Sequence, residues 1–385
     1  MNPEFLRALR SPLTGRLLRQ VSEFALSDGE HLWPCLRGIP YLRANRDGLR
    51  AAAIREIEAG HPEEALALLL TDRRDEAIPS VELASTRLAT KASCITEAMQ
   101  LLNYGGMAPY IFHRWSLPTF ISGLALLEAH APAGASLFEV GCGAGHLLRA
   151  WTEASGTAIG ADLVFSNLWL ARRFVAPDAS LVCCDVTHGF PFADAIADVA
   201  FCHDAFHYFT DKALAVAEMK RVSSTGILLL GHVHNAAVKN FSPGTPLERP
   251  AYEDLLKPDF VYDDADLTRA AMTGSPPKPM DQAGDRNGVQ AFAFVSGPVP
   301  QGRSTLTVPR PGASLRVNPL IAGDGVPLTP QLTEEFVDCW EFMRAMRAPP
   351  KHLSIKLMAS RGTMTAELET FVRRRLMVHL PEDWM

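Results

Sequence analysis

The sequence predicts an α/β fold built on a mostly parallel sheet, and three observations lead there. From residue 135 onward short apolar runs (SLFEV, TAIGA, SLVCC, DVAFC, GILLLG) alternate with amphipathic ones (HLLRAWTEA, NLWLARRFV, ALAVAEMKRV). Strands alternating with helices at this spacing argue for a parallel sheet covered on both faces. The first strand runs straight into Gly141-Cys142-Gly143-Ala144-Gly145 and then a helix, and glycines there let the backbone turn tightly and approach a ligand.

In chain order, residues 1–45 read as a small β-rich unit. SPLTGR and SDGEH supply turns, and LLRQVSEFAL and LWPCLRGIPYLR supply strands. Residues 46–111 read as a helical linker or lid: LRAAAIREIEAG ends at Gly60, and HPEEALALLL restarts with Pro62 in the first turn. Residues 112–298 hold the α/β core, with YEDLLKPDFVYDD as a helix and short strand and QAFAFVSG as the last strand. Residues 299–385 form a C-terminal extension with two predicted helices, TEEFVDCWEFMRAMR and MTAELETFVRRRLMVHL. The Arg373, Arg374, Arg375 run reads most simply as a solvated helix face.

Composition narrows the function classes. The 385 residues carry 37 Lys+Arg against 43 Asp+Glu, a net charge of -6, which argues against a nucleic-acid or anionic-membrane binder. No apolar run approaches a membrane span, and MNPEFLRALRSPLTGR lacks a signal peptide's apolar stretch, so a cytoplasmic location is expected. Seven scattered cysteines without C-x-x-C spacing argue against a disulfide framework or a four-cysteine zinc site.

The glycine loop has two rivals to set aside. A dinucleotide-binding loop wants Gly or Ala where His146 stands, and Glu139, two residues before the first glycine, would repel a diphosphate. No Lys-Ser/Thr follows the glycines, so the Walker pattern is absent as well. A carboxylate at Glu139 suits a cation, an ammonium or a sulfonium. Asp162, 21 residues after Gly141, ends the second strand at the spacing where an acid reaches a ribose hydroxyl. Asp185 follows the third strand, where it can accept from an exocyclic amine; each acid alone also reads as a helix or turn cap.

FEVGCGAGHLL, IGADLVFSNLWLARR, CCDVTHGFPFADAIADVAFCHDAFHYFTD and ALAVAEMKRVSSTGILLLG together resemble the class I S-adenosylmethionine-dependent methyltransferases over residues 112–235. The resemblance implies a Rossmann-like, seven-stranded, mostly parallel sheet and S-adenosylmethionine as cofactor. It puts Glu139, Gly141, Cys142 and Gly143 on the methionine portion, Asp162 and Leu163 on the ribose, and Asp185 with Val186 on the adenine. LRSPLTGRLL with LWPCLRGIPYL resembles the small Trm112-type module, without zinc, because Ser11 stands where a cysteine is wanted and Cys35 is the unit's one thiol.

Five of 12 histidines fall in one stretch: His188, His203, His207, His232 and His234. His203-Asp204-Ala205-Phe206-His207 starts at a strand end, not in the long helix of an H-E-x-x-H zinc peptidase. Alternation points His232 and His234 to one side of the fifth strand, beside His203 or His207 on the fourth. These rings can cap strand ends, serve as a general base, or hold a metal. His207 is the first candidate for the base and His203 the second. In NYGGMAPYIFHRWSLPT, Tyr110 can pack over the cofactor and Arg114 can meet its carboxylate. The expectation is methyl transfer to a small-molecule acceptor, with no resident metal and a homodimer left open. An RNA or protein methyltransferase and a non-catalytic scaffold are the alternatives.

Overall fold

The computed structural model describes residues 1–73, 81–154, 156–239, 243–280, 288–297, 305–335, 340, 349–358 and 364–385. As the sequence predicts, it is an α/β fold with a mostly parallel central sheet. The N-terminal strands are β1 (Arg19–Ser22), β2 (Ala25–Ser27), β3 (Leu32–Leu36) and β4 (Ile39–Leu42). The core strands are β5 (Leu137–Val140), β6 (Ala158–Asp162), β7 (Ser180–Cys184), β8 (Ala197–His203), β9 (Ser223–His234), β10 (Phe260–Asp263) and β11 (Ala291–Ser296).

All eleven form one sheet in the order β1-β2-β3-β4-β7-β6-β5-β8-β9-β11-β10. That differs from the expected seven strands, because the N-terminal unit does not stand apart. β4 pairs in parallel with β7 through Tyr41 with Cys183 and Leu42 with Cys184, which extends the sheet by four strands. Positive φ at Arg37 (54°) and Gly38 (71°) gives the β3-β4 hairpin the two-residue turn that matches strand twist.

The helices preceding the core are α1 (Pro3–Ala8), α2 (Asp47–Glu58), α3 (Pro62–Leu69), α4 (Leu83–Ala89), α5 (Ile95–Leu101), α6 (Met107–His113) and α7 (Pro118–His130), with a 3-10 turn at Arg114–Ser116. Within the core come α8 (His146–Ala154), α9 (Phe165–Leu170), α10 (Lys212–Val222), α11 (Arg249–Leu256) and α12 (Asp264–Thr273). Alternation along each strand divides the core in two. Leu137, Val199, Phe201 and Leu229 pack toward α3, α5, α7, α8 and α9, whereas Phe138, Val140, Ala200 and Cys202 pack toward α10 and α11. Glu139 and His203 share the parity of the first set, so both side chains belong to the α7 face. α7 is buried almost throughout. Its Gly123 permits close approach, since a Cβ there would lie 3.1 Å from His203 Nε2.

β12 (Ser314–Val317), β13 (Ser354–Lys356) and β14 (Met377–His379) make a separate antiparallel sheet in the extension. Most of the predicted TEEFVDCWEFMRAMR helix lies outside the described residues; its start falls in the helix Pro330–Glu335. The last predicted helix is shorter than its pattern. Thr365 caps Leu368 N, the helix ends at Arg373, and Arg375, at φ 56°, turns the chain into β14. Arg375 is therefore buried and not on a solvated face. No helix of the described residues is long and apolar enough to cross a membrane.

Candidate functional site

The glycine loop leaves β5 with φ of 75° at Gly141, 53° at Gly143 and 78° at Gly145. A Cβ on Gly141 would come within 2.5 Å of Ala205 Cβ, so this position is closed to any side chain. Around Gly143 the same test finds no atom within 4 Å, an open cradle at the head of α8. Cys142 turns its thiol into the core, where Sγ would meet a Cβ on Gly160 at 2.9 Å, so this residue faces the loop interior by its side chain.

Glu139 ends β5 beneath the loop, 3% exposed, and its Oε2 accepts no hydrogen bond from the described residues. Burial pushes its carboxyl up to about 8, while the Arg114 guanidinium acts in the opposite sense. A buried acid with an unused acceptor is costly in isolation and is suited to a cation that arrives with the ligand.

Asp162 ends β6 next door. Its Oδ2 accepts from Gly143 N at 2.8 Å and its Oδ1 from Val164 N at 2.8 Å, so the acid fixes the glycine loop and starts α9 at once. Leu163 follows half-buried, its carbonyl 3.4 Å from Cys183 Sγ. Asp185, past β7, accepts from Thr187 N at 2.9 Å and from Asn45 Nδ2 at 3.3 Å, a contact from the N-terminal unit. Val186 beside it is half-buried.

A second group assembles past β8 and β9. Asp204, at φ 56°, accepts from Tyr110 Oη and pairs with Arg114 Nη1 at 3.1 Å; Arg114 also donates to Tyr110 Oη and, at 2.6 Å, to Thr119 Oγ1. Arg114 and Tyr110 thus close on Asp204, where the sequence pointed Arg114 at a ligand carboxylate. Burial raises the Asp204 carboxyl, but the fields of His232, Arg114 and His207 outweigh it and hold the group well below the usual carboxylate range.

The histidines separate by role. His203 donates from Nε2 to Thr119 O, is only 2% exposed, and burial pushes its pKa down to about 4. Squeezed between Gly123 of α7 and Gly231 of β9, whose added Cβ would lie 2.1 Å from His203 Nδ1, it fastens α7 to the sheet. His207, in the 3-10 turn Phe206–Tyr208, stacks on His234 with centroids 4.0 Å apart at 8°. His232 does not follow simple alternation. Its φ of 48° and the register shift against β11 make a bulge that sends Nδ1 to Asp264 Oδ2 at 2.8 Å. His234 Nε2 lies 4.0 Å from Asp204 Oδ1, and burial pushes its pKa down to about 4. Donor atoms of Asp204, His207 and His234 lie within 4.8 Å of one another, the one group of this kind among the described residues.

Asp204 and Asp264 are the site residues that sequence reasoning missed. Asp204 was in view as part of H-D-A-F-H, and its signal was the acid directly after a strand end. Asp264 opens α12, far along the chain, and nothing in its local pattern marks it.

Residues 138–230, the part of the core that carries the glycine loop and β8, match the family model described as a methyltransferase domain. Two curated relatives are malonyl-[acyl-carrier protein] O-methyltransferases. The one from Pectobacterium atrosepticum is 31% identical over 27% of this chain and 39% of its own length. The one from Hamiltonella defensa is 29% identical over 24% of this chain and 36% of its own. The chain thus spans under two fifths of the length of these relatives. Among solved structures, a chain from a complex containing the Haloferax volcanii Trm112 methyltransferase activator aligns at 14% identity and TM-score 0.38, covering 52% of this chain and 96% of that one. A TehB-like methyltransferase from Corynebacterium glutamicum aligns at 15% identity and TM-score 0.35, covering 46% of this chain and 88% of that one.

Proposed function

We propose that the protein transfers a methyl group from S-adenosylmethionine to a small-molecule acceptor, with His207 as the group that takes the acceptor's proton. The observation that carries the reading is the placement of an unsatisfied buried carboxylate, Glu139, at the end of β5, next to the strand ends that bear Asp204, His207 and His234. The residues fit the cofactor on that ground: Glu139 Oε2 offers a cation an acceptor, and the Gly143 cradle leaves room for backbone contact. Bound there, S-adenosylmethionine would supply an electrophilic methyl on a sulfonium.

The chain's own residues do the rest. Glu139 holds a positive ligand group in a water-poor setting, where its attraction is far stronger than in solvent. Asp162 accepts from Gly143 N, Val164 N and Asn167 Nδ2 and stands at the strand end where an acid reaches ribose hydroxyls, with Leu163 beneath; Asp185 and Val186 border the adenine side, which Asn45 abuts. Tyr110 and Arg114 close over Asp204 and exclude water. His207, stacked on His234 and near Asp204, is placed to receive a proton from a hydroxyl, amine or acidic carbon, and the Asp204 charge stabilises the imidazolium that results. Alignment of acceptor and methyl, more than covalent help, supplies most of the rate.

His203 is the weaker base, because its Nε2 is committed to Thr119 O. The N-terminal β unit, which resembles the Trm112 type, acts as a built-in cover on the β7 edge. Calorimetry with S-adenosylhomocysteine tests the cofactor reading: wild type binds, Asp162→Ala binds weakly, and no binding by wild type sinks the proposal. The names of the curated relatives make malonyl-[acyl-carrier protein] the first acceptor to assay, beside small hydroxylated and amine acceptors.

A further inference from the structure

A cleft of about 310 Å³ lies between the α7-α8 side of the core and the C-terminal extension. Trp115, Phe120, Leu124 and Val378 give it apolar walls, and Thr307 and Arg375 add polar groups. Arg375 is the anomaly. It is 6% exposed, yet Nε and Nη2 donate to no partner among the described residues. Those two N–H groups form the edge of a guanidinium that grips a carboxylate with two parallel hydrogen bonds. Trp115 Nε1 and Thr307 Oγ1, buried residues of the same lining, also lack partners among the described residues. The unmet groups come from three separate stretches of chain.

The other charges near the cleft are mostly answered. Arg149 pairs with Glu153 at 2.6 Å, and His379 lies 3.5 Å from the same acid. Arg310 is exposed at the rim. Glu128, whose field reaches Arg375, is engaged by the backbone N–H groups of Leu306 and Thr307, and Arg373 adds a like charge. Burial pushes the guanidinium down to about 10. The position is also held rigidly: Asn318 Nδ2 donates to Arg375 O at 2.5 Å and to Ser116 Oγ at 2.6 Å, and φ is 56° at Arg375 itself. A buried guanidinium with its fork unused carries a desolvation cost that a ligand carboxylate would offset.

We propose that this cleft binds a small organic carboxylate, its acid on the Arg375 fork and its apolar body against Trp115 and Phe120. The Arg375 guanidinium, over the Phe120 ring at 5.4 Å and without a carboxylate hydrogen-bonded to Nε or Nη2 among the described residues, matches a monoanion, and Glu153 at the cleft disfavours a dianionic phosphate. The site is separate from the methyl-transfer residues but shares a wall with them. Trp115 follows Arg114 in the same 3-10 turn, and Phe120 follows Thr119, which Arg114 and His203 both touch.

The test is calorimetric titration of the full chain with benzoate, benzamide and phenyl phosphate. Benzoate should bind one to one and saturably, with benzamide undetected at the same concentrations and phenyl phosphate at least several-fold weaker. Arg375→Gln should weaken benzoate at least tenfold, and Arg375→Lys, which keeps charge without the fork, by an intermediate factor. Should the Gln variant not fold, Thr307→Val carries the comparison, with an expected several-fold loss. No saturable benzoate binding, equal binding of benzamide, or benzoate affinity untouched by these substitutions would overturn the site. Tighter binding of phenyl phosphate than of benzoate would overturn the carboxylate assignment.

Discussion

Replacing Glu139 by Gln should stabilise the protein and damage its cofactor binding, two opposite effects from one atom pair. The residue is only 3% exposed, and burial pushes its carboxyl up to about 8, against about 4.5 in the unfolded chain. Between those values the folded state holds the extra proton, so stability falls as pH rises from about 4.5 to 8. The full difference is roughly 5 kcal/mol above pH 8, at about 1.4 kcal/mol per unit. Glu139→Gln removes this slope. Its urea midpoint should exceed that of wild type by a margin that grows from pH 5 to 8. A cation in the site reverses the sign, because at pH 7 about nine in ten Glu139 side chains are protonated and must lose that proton on binding.

Three results follow in calorimetry with S-adenosylmethionine. Wild type should release close to one proton at pH 7, seen as a binding enthalpy that depends on the buffer's ionisation enthalpy; the Gln variant should not. The ratio of wild-type to variant affinity, which cancels the ligand's own titration, should climb toward tenfold per pH unit up to about pH 8 and then level. Above pH 8 loss of a charge-assisted hydrogen bond, about 1.5–3 kcal/mol, should weaken the variant roughly ten- to hundredfold. A ratio flat in pH, with no proton release, would refute the assignment of Glu139 to a cation.

Three further substitutions separate the neighbouring roles. His207→Ala should lower kcat about 10²–10⁴-fold with the dissociation constant for S-adenosylmethionine within about threefold; unchanged kcat on an accepted substrate argues against a base at this position. Asp204→Asn, which tolerates the left-handed φ, should cost about 3–5 kcal/mol in urea unfolding by stranding Arg114. Since the Asp204 carboxyl is held low in the fold, its stabilisation is complete above about pH 4 and fades as pH falls further, so the gap between wild type and Asn should close in acid. Gly231→Ala should displace His203, whose Nδ1 lies 2.1 Å from the added Cβ, and cost about 1–3 kcal/mol. Cofactor affinity should fall less than for Glu139→Gln, and an equal loss would mean that His203 touches the ligand.

The core was readable because its signals are local. Glu139, Gly141, Gly143, Asp162 and Asp185 each sit at a strand end, and strand ends are where a parallel sheet gathers residues distant in sequence. What was not readable depends on pairing across the fold. The four N-terminal strands read as a separate unit because nothing within residues 1–45 says that β4 will find β7 as a partner. Arg373 to Arg375 read as a solvated run because helix periodicity continues past Arg373, whereas the positive φ at Arg375 ends it and buries the third arginine. His232 and His234 read as two rings on one side of a strand, and both bring Nε2 to 4.0 Å from Asp204 Oδ1; what the pattern hid is the bulge at Gly231-His232, which also turns His232 Nδ1 to Asp264 while His234 stacks on His207.

The same logic accounts for the choice between His203 and His207, which their shared motif leaves open. A base must sit where the protein stabilises its charged form. His203 lies on the strand itself, facing α7, so its Nε2 is used in holding the helix to the sheet and burial disfavours its charged form. His207 lies four residues on, beyond the left-handed Asp204, which turns the chain off the sheet edge. That turn brings His207 onto His234 and leaves Asp204 between the imidazoles and Arg114. On the proposed reading, the acid between the two histidines decides their roles: it ends the strand after the first and supplies the charge that would favour protonation of the second.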